Sequence, residues 1–120
     1  MSSVLTNYFG GAVLQHYLLD TPSWVALFTA DPTVTGSLTN ELTGGSYARL
    51  PAVWSAPSSK STGLGALRCI NLPACTLTHF AVTDALSSGH LLVVSAFPSP
   101  QVIPASAELR IAANSIVVTV

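Results

Sequence analysis

The sequence predicts an all-β fold, an antiparallel β-sandwich or jelly-roll-like arrangement of about eight short strands, preceded by an N-terminal helix. Three observations support this prediction. Apolar runs recur along residues 21–120 with turn signals about every eight to twelve residues, which is typical of antiparallel sandwiches and barrels. Helical periodicity is confined to residues 1–20. No linker or internal repeat interrupts the 120 residues, so we expect a single domain, residues 1–120.

The helix is predicted over residues 3–20. Ser2 or Ser3 is the expected N-cap, and the helix should end at Asp20-Thr21-Pro22, because the residue before a proline avoids the α region. Gly10-Gly11 weakens its middle by about 1 kcal/mol per glycine, so the helix should depend on packing. Its apolar side chains recur at steps of three and four residues and predict one apolar stripe, formed by Val4, Leu5, Tyr8, Ala12, Leu14 and Leu18.

The strands are predicted from short apolar or alternating runs. Pro51 should place its strand at a sheet edge or insert a bulge. Residues 84–89 should connect a hairpin, and residues 58–65 should form a loop. Pro98, Pro100 and Pro104 are expected to break the chain, and the last two strands should form a hairpin around Ala113-Asn114. The predicted strands are residues 24–28, 47–50 with 52–54, 67–72, 76–83, 90–97, 108–111 and 115–120.

A long uncharged segment separates the first two predicted strands. Asp31-Pro32 is typical of a turn, since Asp accepts backbone hydrogen bonds there and Pro sets φ for the next position. Gly44-Gly45 should supply positive φ. Glu41 and Arg49 bracket the second turn and could pair across it, and Arg49 could equally contact a neighbouring subunit. We expect residues 31–46 to project from one end of the sandwich.

The composition favours association with other protein copies. Charged residues make up 8% of the chain, against a usual share of about 25%, while 49% are hydrophobic. A low charge removes self-repulsion between copies. The four Lys and Arg residues are scattered, which argues against nucleic-acid binding. No apolar run approaches the roughly 20 residues of a membrane span, and no signal peptide is evident.

The titratable residues do not form a recognisable catalytic motif. A metal site from His79, His90 and Asp84 is conceivable across the predicted hairpin, but no metal-ligand spacing is present. No nucleophile elbow or phosphate loop occurs. We therefore expect no enzyme activity, no cofactor, no metal and no catalytic residue. Cys69 and Cys75 lack zinc-site spacing, and free thiols are favoured over a disulfide.

Three sequence blocks carry a resemblance to a known family. They are ALFTADPT (residues 26–33), GGSYAR (residues 44–49) and THFAVTDALSSGHLL (residues 78–92). In this combination the chain resembles a family of small tailed-phage virion proteins, labelled tail-fibre-like or structural, some of which look like head decoration proteins. The resemblance spans residues 3–120. It implies a β-sandwich component of the virion, assembled in the host cytoplasm.

The sequence and the resemblance together favour a capsid cement protein that binds the major capsid protein lattice and stabilises the shell. The alternatives are a tail, baseplate or fibre component and, from another class, a carbohydrate-binding β-sandwich module. A hydrolase is disfavoured. The expected partners are other copies of the chain, in trimers or dimers, and the major capsid protein or other virion proteins. The hypothetical interface residues are Tyr8, Leu14, Asp31, Pro32, Glu41, Tyr47 and Arg49.

Overall fold

The computed structural model describes residues 3–33, 36–45 and 47–119 and confirms the all-β class. Within these ranges the strands pair antiparallel in one four-stranded and two two-stranded sheets. The helical segment consists of α1 (Asn7–Leu14) and a π-helical turn (Gln15–Leu19). The strands are β1 (Trp24–Phe28), β2 (Leu50–Pro51), β3 (Ser61–Gly63), β4 (Leu67–Leu72), β5 (Cys75–Thr83), β6 (Leu91–Ile103), β7 (Ala107–Ile111) and β8 (Val117–Thr119).

The helical segment begins later than the sequence predicted. Thr6 is the N-cap, because its Oγ1 accepts a hydrogen bond from the backbone N–H of Phe9 at 3.2 Å. The predicted cap Ser3 lies outside the helix, and Ser2 lies outside the described residues. No helix in the described ranges is both long enough and apolar enough to cross a membrane.

The predicted apolar stripe divides between two faces of the helical segment. Leu14 and Leu18 are buried, together with Gly10 at the same four-residue step. Val4, Tyr8 and Ala12 are exposed. The prediction of one stripe was therefore wrong, because a step of three or four residues does not tell an inward from an outward row.

The four-stranded sheet has the order β2-β1-β5-β6. β1 is buried on both faces: Val25 and Leu27 point to one side, and Ala26 and Phe28 to the other, as strand alternation requires. β2 lies at the sheet edge, as Pro51 predicted.

β6 is longer than expected, because Pro98 and Pro100 do not end it. Ala96 pairs with His79 and Gln101 with Leu77, so the residues between them bulge opposite Thr78. β6 is the outer strand of its sheet, and a proline in such a bulge removes no ladder hydrogen bond. The prediction that Pro98 and Pro100 break the strand was wrong, whereas β6 ends at Ile103, directly before the third predicted break, Pro104.

The two small sheets pair segments that are distant in sequence. β3 pairs with β8, and β4 pairs with β7. Residues 61–63 were expected in a loop and instead form β3. The predicted hairpin between the last two strands was also wrong: a turn occurs at residues 113–114, but the strands on either side of it join different sheets.

The main core lies between the four-stranded sheet and the two small sheets. Leu27 and Phe80 belong to one buried cluster with Cys69, Leu72 and Leu109 of β4 and β7. A second cluster joins the same face of the sheet to the helical segment and to the neighbourhood of β3 and β8; it comprises Leu14, Leu18, Val25, Trp54, Leu64, Leu67 and Val82.

The segment after β1 packs back onto the sheet where the sequence suggested a projecting loop. The backbone N–H of Leu42 donates to the carbonyl of Leu27 at 2.8 Å, and that of Thr29 donates to Asn40 at 3.0 Å. Leu38 packs against Ala26 and Phe28 on the outer face of the sheet. Through Leu38, the segment therefore shields apolar side chains of β1 from water. Its polar composition gave no indication of this role.

Candidate functional site

In the described part of the chain, several charged and hydrogen-bonding side chains meet at Arg49. Its side chain is buried, and the residue is 6% exposed. Its Nε donates to Oε2 of Glu41, and its Nη2 to Oε1, each at 2.8 Å. This bidentate geometry is the strongest that an arginine and a carboxylate can form. The pairing of Glu41 with Arg49 across the glycine turn is thereby confirmed, and Gly44 and Gly45 have positive φ as predicted, 99° and 58°.

The third guanidinium nitrogen ties this pair to the connection between β5 and β6. Nη1 of Arg49 donates to the carbonyl oxygens of Ala85 and Ser88, each at 2.8 Å. It also lies 3.4 Å from Oγ1 of Thr83, whose hydroxyl donates to Ala85. Arg49 therefore holds together two connections that are separated by more than 35 residues in the chain.

Tyr47 fastens the same cluster to β1. Its hydroxyl donates to Oε2 of Glu41 at 2.8 Å and accepts the backbone N–H of Leu27 at 3.1 Å. The blocks ALFTADPT, GGSYAR and THFAVTDA thus meet through Leu27, Tyr47, Arg49 and Ala85. The three sequence blocks belong to one hydrogen-bonded cluster in the fold.

The electrostatics of the cluster favour the ionised pair. Burial raises the pKa of Glu41, but the hydrogen bonds from Arg49 and Tyr47 outweigh it and leave that pKa below its ordinary value. The hydrogen bond to Glu41 raises the pKa of Arg49. Burial, followed by the hydrogen bond to Glu41, raises the pKa of Tyr47, so its hydroxyl stays protonated and can donate. The cluster holds the two connections together, and both of its charged groups already have hydrogen-bond partners within the chain.

His79 and His90 each lie near a different carboxylate. Nδ1 of His90 lies 3.1 Å from Oδ2 of Asp84, whose Oδ1 accepts the backbone N–H of His90 at 2.7 Å. The backbone hydrogen bond, followed by the one from the ring, lowers the pKa of Asp84. Nε2 of His79 lies 3.8 Å from Oδ1 of Asp31. Across the described ranges, no group of three or more potential ligands comes together to hold a metal.

The predicted interface residues occupy different environments. Leu14 is 2% exposed and packs in the second core cluster, and Pro32 is also buried. Asp31 is exposed and accepts the backbone N–H of Thr33 at 2.8 Å. Tyr8 alone among the seven combines a large side chain with high exposure, 86%. The interface role of all seven stays a prediction, and all of them except Tyr8 are buried or hydrogen-bonded within the chain.

Sequence reasoning missed other exposed apolar side chains. Phe9 and Tyr17 lie on the helical segment, and Val102 lies on β6. These three side chains line neither the cleft of about 460 Å³ between β6 and β7 nor the groove of about 370 Å³ beside α1, whose wall includes Tyr8.

On the helix, the position of Gly10 could have been used as a signal. Gly10 belongs with Leu14 and Leu18 to the row of residues that packs against the rest of the protein.

A family model described as Podophage GP4 fiber I protein gp80 matches residues 1–119. The chain belongs to this family. Membership in the gp80 family makes the chain a structural component of a phage virion and confirms the class of protein that the resemblance predicted. The match does not test the three sequence blocks individually. No curated protein matches the chain.

Proposed function

We propose that the chain is a structural subunit of a podophage tail fibre, assembled from several copies and attached to other virion proteins. The observation that carries the proposal is the family match, which covers residues 1–119 and is described as a fibre protein. The capsid-cement role that the sequence favoured stays a prediction. The family description supports the tail or fibre alternative more strongly.

The interior of the fold suits a subunit that must keep one shape. Among the described residues that are not exposed, every buried side-chain nitrogen or oxygen has a hydrogen-bond partner. The Arg49 cluster fixes the β1–β2 connection and the β5–β6 connection against each other and against β1. A surface that is already ordered loses little conformational entropy on binding, so its contacts contribute more fully to affinity.

The exterior suits contacts that do not depend on charge. Large apolar side chains are exposed on the helical segment, on β6 and in several loops. Arg68 and Arg110 are both engaged by the single carboxylate of Glu108. Apolar and neutral polar contacts of this kind resemble the cores of protein interfaces, where charged residues are depleted. Assembly through them should vary little with salt concentration.

The carbohydrate-binding alternative gains no specific support from the tryptophans. Trp54 is 8% exposed, and its Nε1 donates to Oγ of Ser23 at 3.1 Å inside the core. Trp24 is half-buried in β1. Neither presents the open aromatic face on which a sugar ring stacks, and the fibre proposal remains the better supported of the two.

The location of the protein in purified virions tests the proposal. We expect cryo-electron microscopy to place the chain at the tail, and quantitative mass spectrometry to give a small fixed copy number per particle. A copy number comparable to that of the major capsid protein, at regular positions on the shell, would restore the cement prediction. Absence from the particle would overturn both.

A further inference from the structure

The outer strand of the four-stranded sheet has an open edge. β6 is 13 residues long and pairs with β5 on one side. Among the described residues, no backbone hydrogen bond joins residues 91–103 to any segment other than β5. All residues of β6 except Ile103 keep some exposure to solvent. An open strand edge presents a row of N–H and C=O groups that can pair with a further strand.

The hydrogen bonds of β1 establish which way the backbone groups of β6 point. In an antiparallel pair, the N–H and C=O of one residue point to the same side, and those of its neighbours point to the other. Leu27 donates its N–H to the hydroxyl of Tyr47 and accepts the N–H of Leu42, so both groups point away from β5. Its partner on β5, Phe80, therefore points towards β6, where it pairs with Ser95.

Val94 and Ala96, on either side of Ser95, consequently direct their N–H and C=O groups away from the sheet. No Asp, Glu, Lys or Arg occurs between residues 91 and 103. Beyond Ala96 the strand bulges, and the edge there contains Pro98 and Pro100, which cannot donate a hydrogen bond. Residues 93–96 carry neither a charge nor a proline, the devices that usually keep an edge strand from pairing.

We infer that β6 pairs antiparallel with β6 of a second copy, about a two-fold axis at Ser95, so that the two four-stranded sheets become continuous. Val94 of each copy then exchanges hydrogen bonds with Ala96 of the other, about four bonds in all. The same surface is used by both copies, which makes the contact isologous. The inference rests on the proposed function, because it names a contact by which copies associate.

The chemistry of the edge favours a second copy over other occupants. The occupant must supply outward N–H and C=O groups at the spacing of a strand. β6 of a second copy supplies them in the required order, because an antiparallel ladder is symmetric about a two-fold axis. β6 is already held as a strand by β5 and loses little conformational entropy on pairing, whereas an unstructured peptide would have to be ordered. Two uncharged edges do not repel each other.

Sedimentation velocity of the purified full chain over a concentration series tests the contact. We expect a monomer–dimer equilibrium. Val94→Pro removes one outward N–H from each copy and should raise the dissociation constant at least about 10-fold. That N–H makes no bond to β5, so the fold should persist. Val94→Ala is the matched control, since it shortens the same side chain and keeps the N–H; its dissociation constant should stay within about threefold of the original.

A disulfide cross-link tests the register independently of Val94. At the axis, the Cα atoms of the two Ser95 residues would lie about 4.5 Å apart, inside the range of roughly 4.4–6.8 Å that a disulfide spans. Mild oxidation of Ser95→Cys should therefore link two copies through position 95, as peptide mapping by mass spectrometry would show. Val102→Cys is the control. Val102 is 76% exposed on the same strand beyond the prolines, so random collision would link it more readily than position 95.

Three results would overturn the contact: a chain that is monomeric at every concentration, a folded Val94→Pro variant with an unchanged dissociation constant, or faster linkage through position 102 than through position 95. Circular dichroism establishes whether each variant is folded. If Val94→Pro does not fold, the comparison of the two cross-links decides.

The outcome is separable from that of the virion experiment. Loss of the contact with the protein still found at the tail overturns only the inference about β6. Absence from the tail with a dimer linked through position 95 in solution overturns the fibre proposal and leaves the contact standing.

Discussion

Arg49 and Glu41 form a bidentate ion pair inside the chain, with both N–O distances at 2.8 Å and the guanidinium almost fully removed from solvent. The remaining guanidinium nitrogen binds the carbonyl oxygens of Ala85 and Ser88. In a protein with few charges, this buried ion pair therefore holds two connections of the fold together. Removing either partner would leave the other partly desolvated and unpaired, which costs far more than an exposed pair contributes.

Replacing Arg49 should destabilise the fold strongly. We expect Arg49→Met to lower the free energy of unfolding by about 3 kcal/mol, because Glu41 and two backbone carbonyls lose their donor together. Arg49→Lys should restore less than half of the lost free energy of unfolding, because an ammonium group cannot make the two parallel hydrogen bonds that the guanidinium makes to Glu41. Urea unfolding followed by circular dichroism measures both values.

Arg68→Met is the matched control for this substitution. Arg68 pairs with Glu108 at the surface and should be replaceable without a measurable change in the unfolding midpoint. If Arg49→Met and Arg68→Met changed the free energy of unfolding equally, the Arg49 cluster would stabilise the fold no more than an exposed ion pair does.

Acid should weaken the protein through Glu41. The folded-state pKa of Glu41 lies below its ordinary value of 4.5, so its stabilising contribution is complete above that value. As the pH falls through 4.5 towards the folded-state pKa, the unfolded chain takes up the proton first and stability is lost. Asp84 shifts in the same direction, and the hydrogen bonds from Arg68 and Arg110 lower the pKa of Glu108 to about 2.

The free energy of unfolding should therefore decline between about pH 5 and pH 2. Glu41→Gln should be less stable than the original at neutral pH and should show a shallower decline, since one of the linked carboxyls is gone. Urea unfolding at a series of pH values gives both slopes. Parallel curves for the two proteins would remove Glu41 from the acid response.

Local sequence patterns predicted the elements whose determinants are local. β1 and β4 have the predicted bounds, and β5 differs by one residue, because each is a short apolar or alternating run between turn signals. The pairing of β3 with β8 was not predictable in this way. Its partners are more than 50 residues apart, and Ser61–Gly63 carries no strand pattern of its own.

The candidate site shows the same division. The positions of Glu41 and Arg49 around a glycine turn indicated their pairing as one of two alternatives, the other being a contact of Arg49 with a neighbouring subunit. The burial of Arg49 did not, because its other acceptors, Ala85 and Ser88, are backbone carbonyls on a distant connection. A backbone acceptor leaves no residue-type signal in the sequence.

The two cysteines should behave as unreactive thiols. Both are free, as the sequence favoured. Burial raises the pKa of Cys69 to about 11 and raises that of Cys75 as well, so little thiolate is present near neutral pH. We expect a maleimide to label the native protein slowly at pH 8, at Cys75 before Cys69, and to label both rapidly after unfolding.

Peptide mapping by mass spectrometry identifies the labelled site. A reducing agent should leave the melting temperature unchanged. A sharp fall of the melting temperature on reduction, or a recovered peptide linking Cys69 to Cys75, would contradict the assignment of free thiols.

Gly11 should be intolerant of a side chain although it lies in a helix. Ala ordinarily stabilises a helix interior by about 1 kcal/mol relative to Gly. Here the added Cβ would lie 2.8 Å from a backbone oxygen of Ser59, so the helix must move away from the body and loosen the packing of Leu14. We expect Gly11→Ala to lower the free energy of unfolding by about 1–2 kcal/mol.

Ala12→Ser, at an exposed position on the same helix, is the control, and its free energy of unfolding should stay within about 0.5 kcal/mol of the original. Thermal unfolding of both variants gives the comparison. A more stable Gly11→Ala would mean that α1 does not sit against the 57–59 segment, and the groove beside Tyr8 would then lack one of its walls.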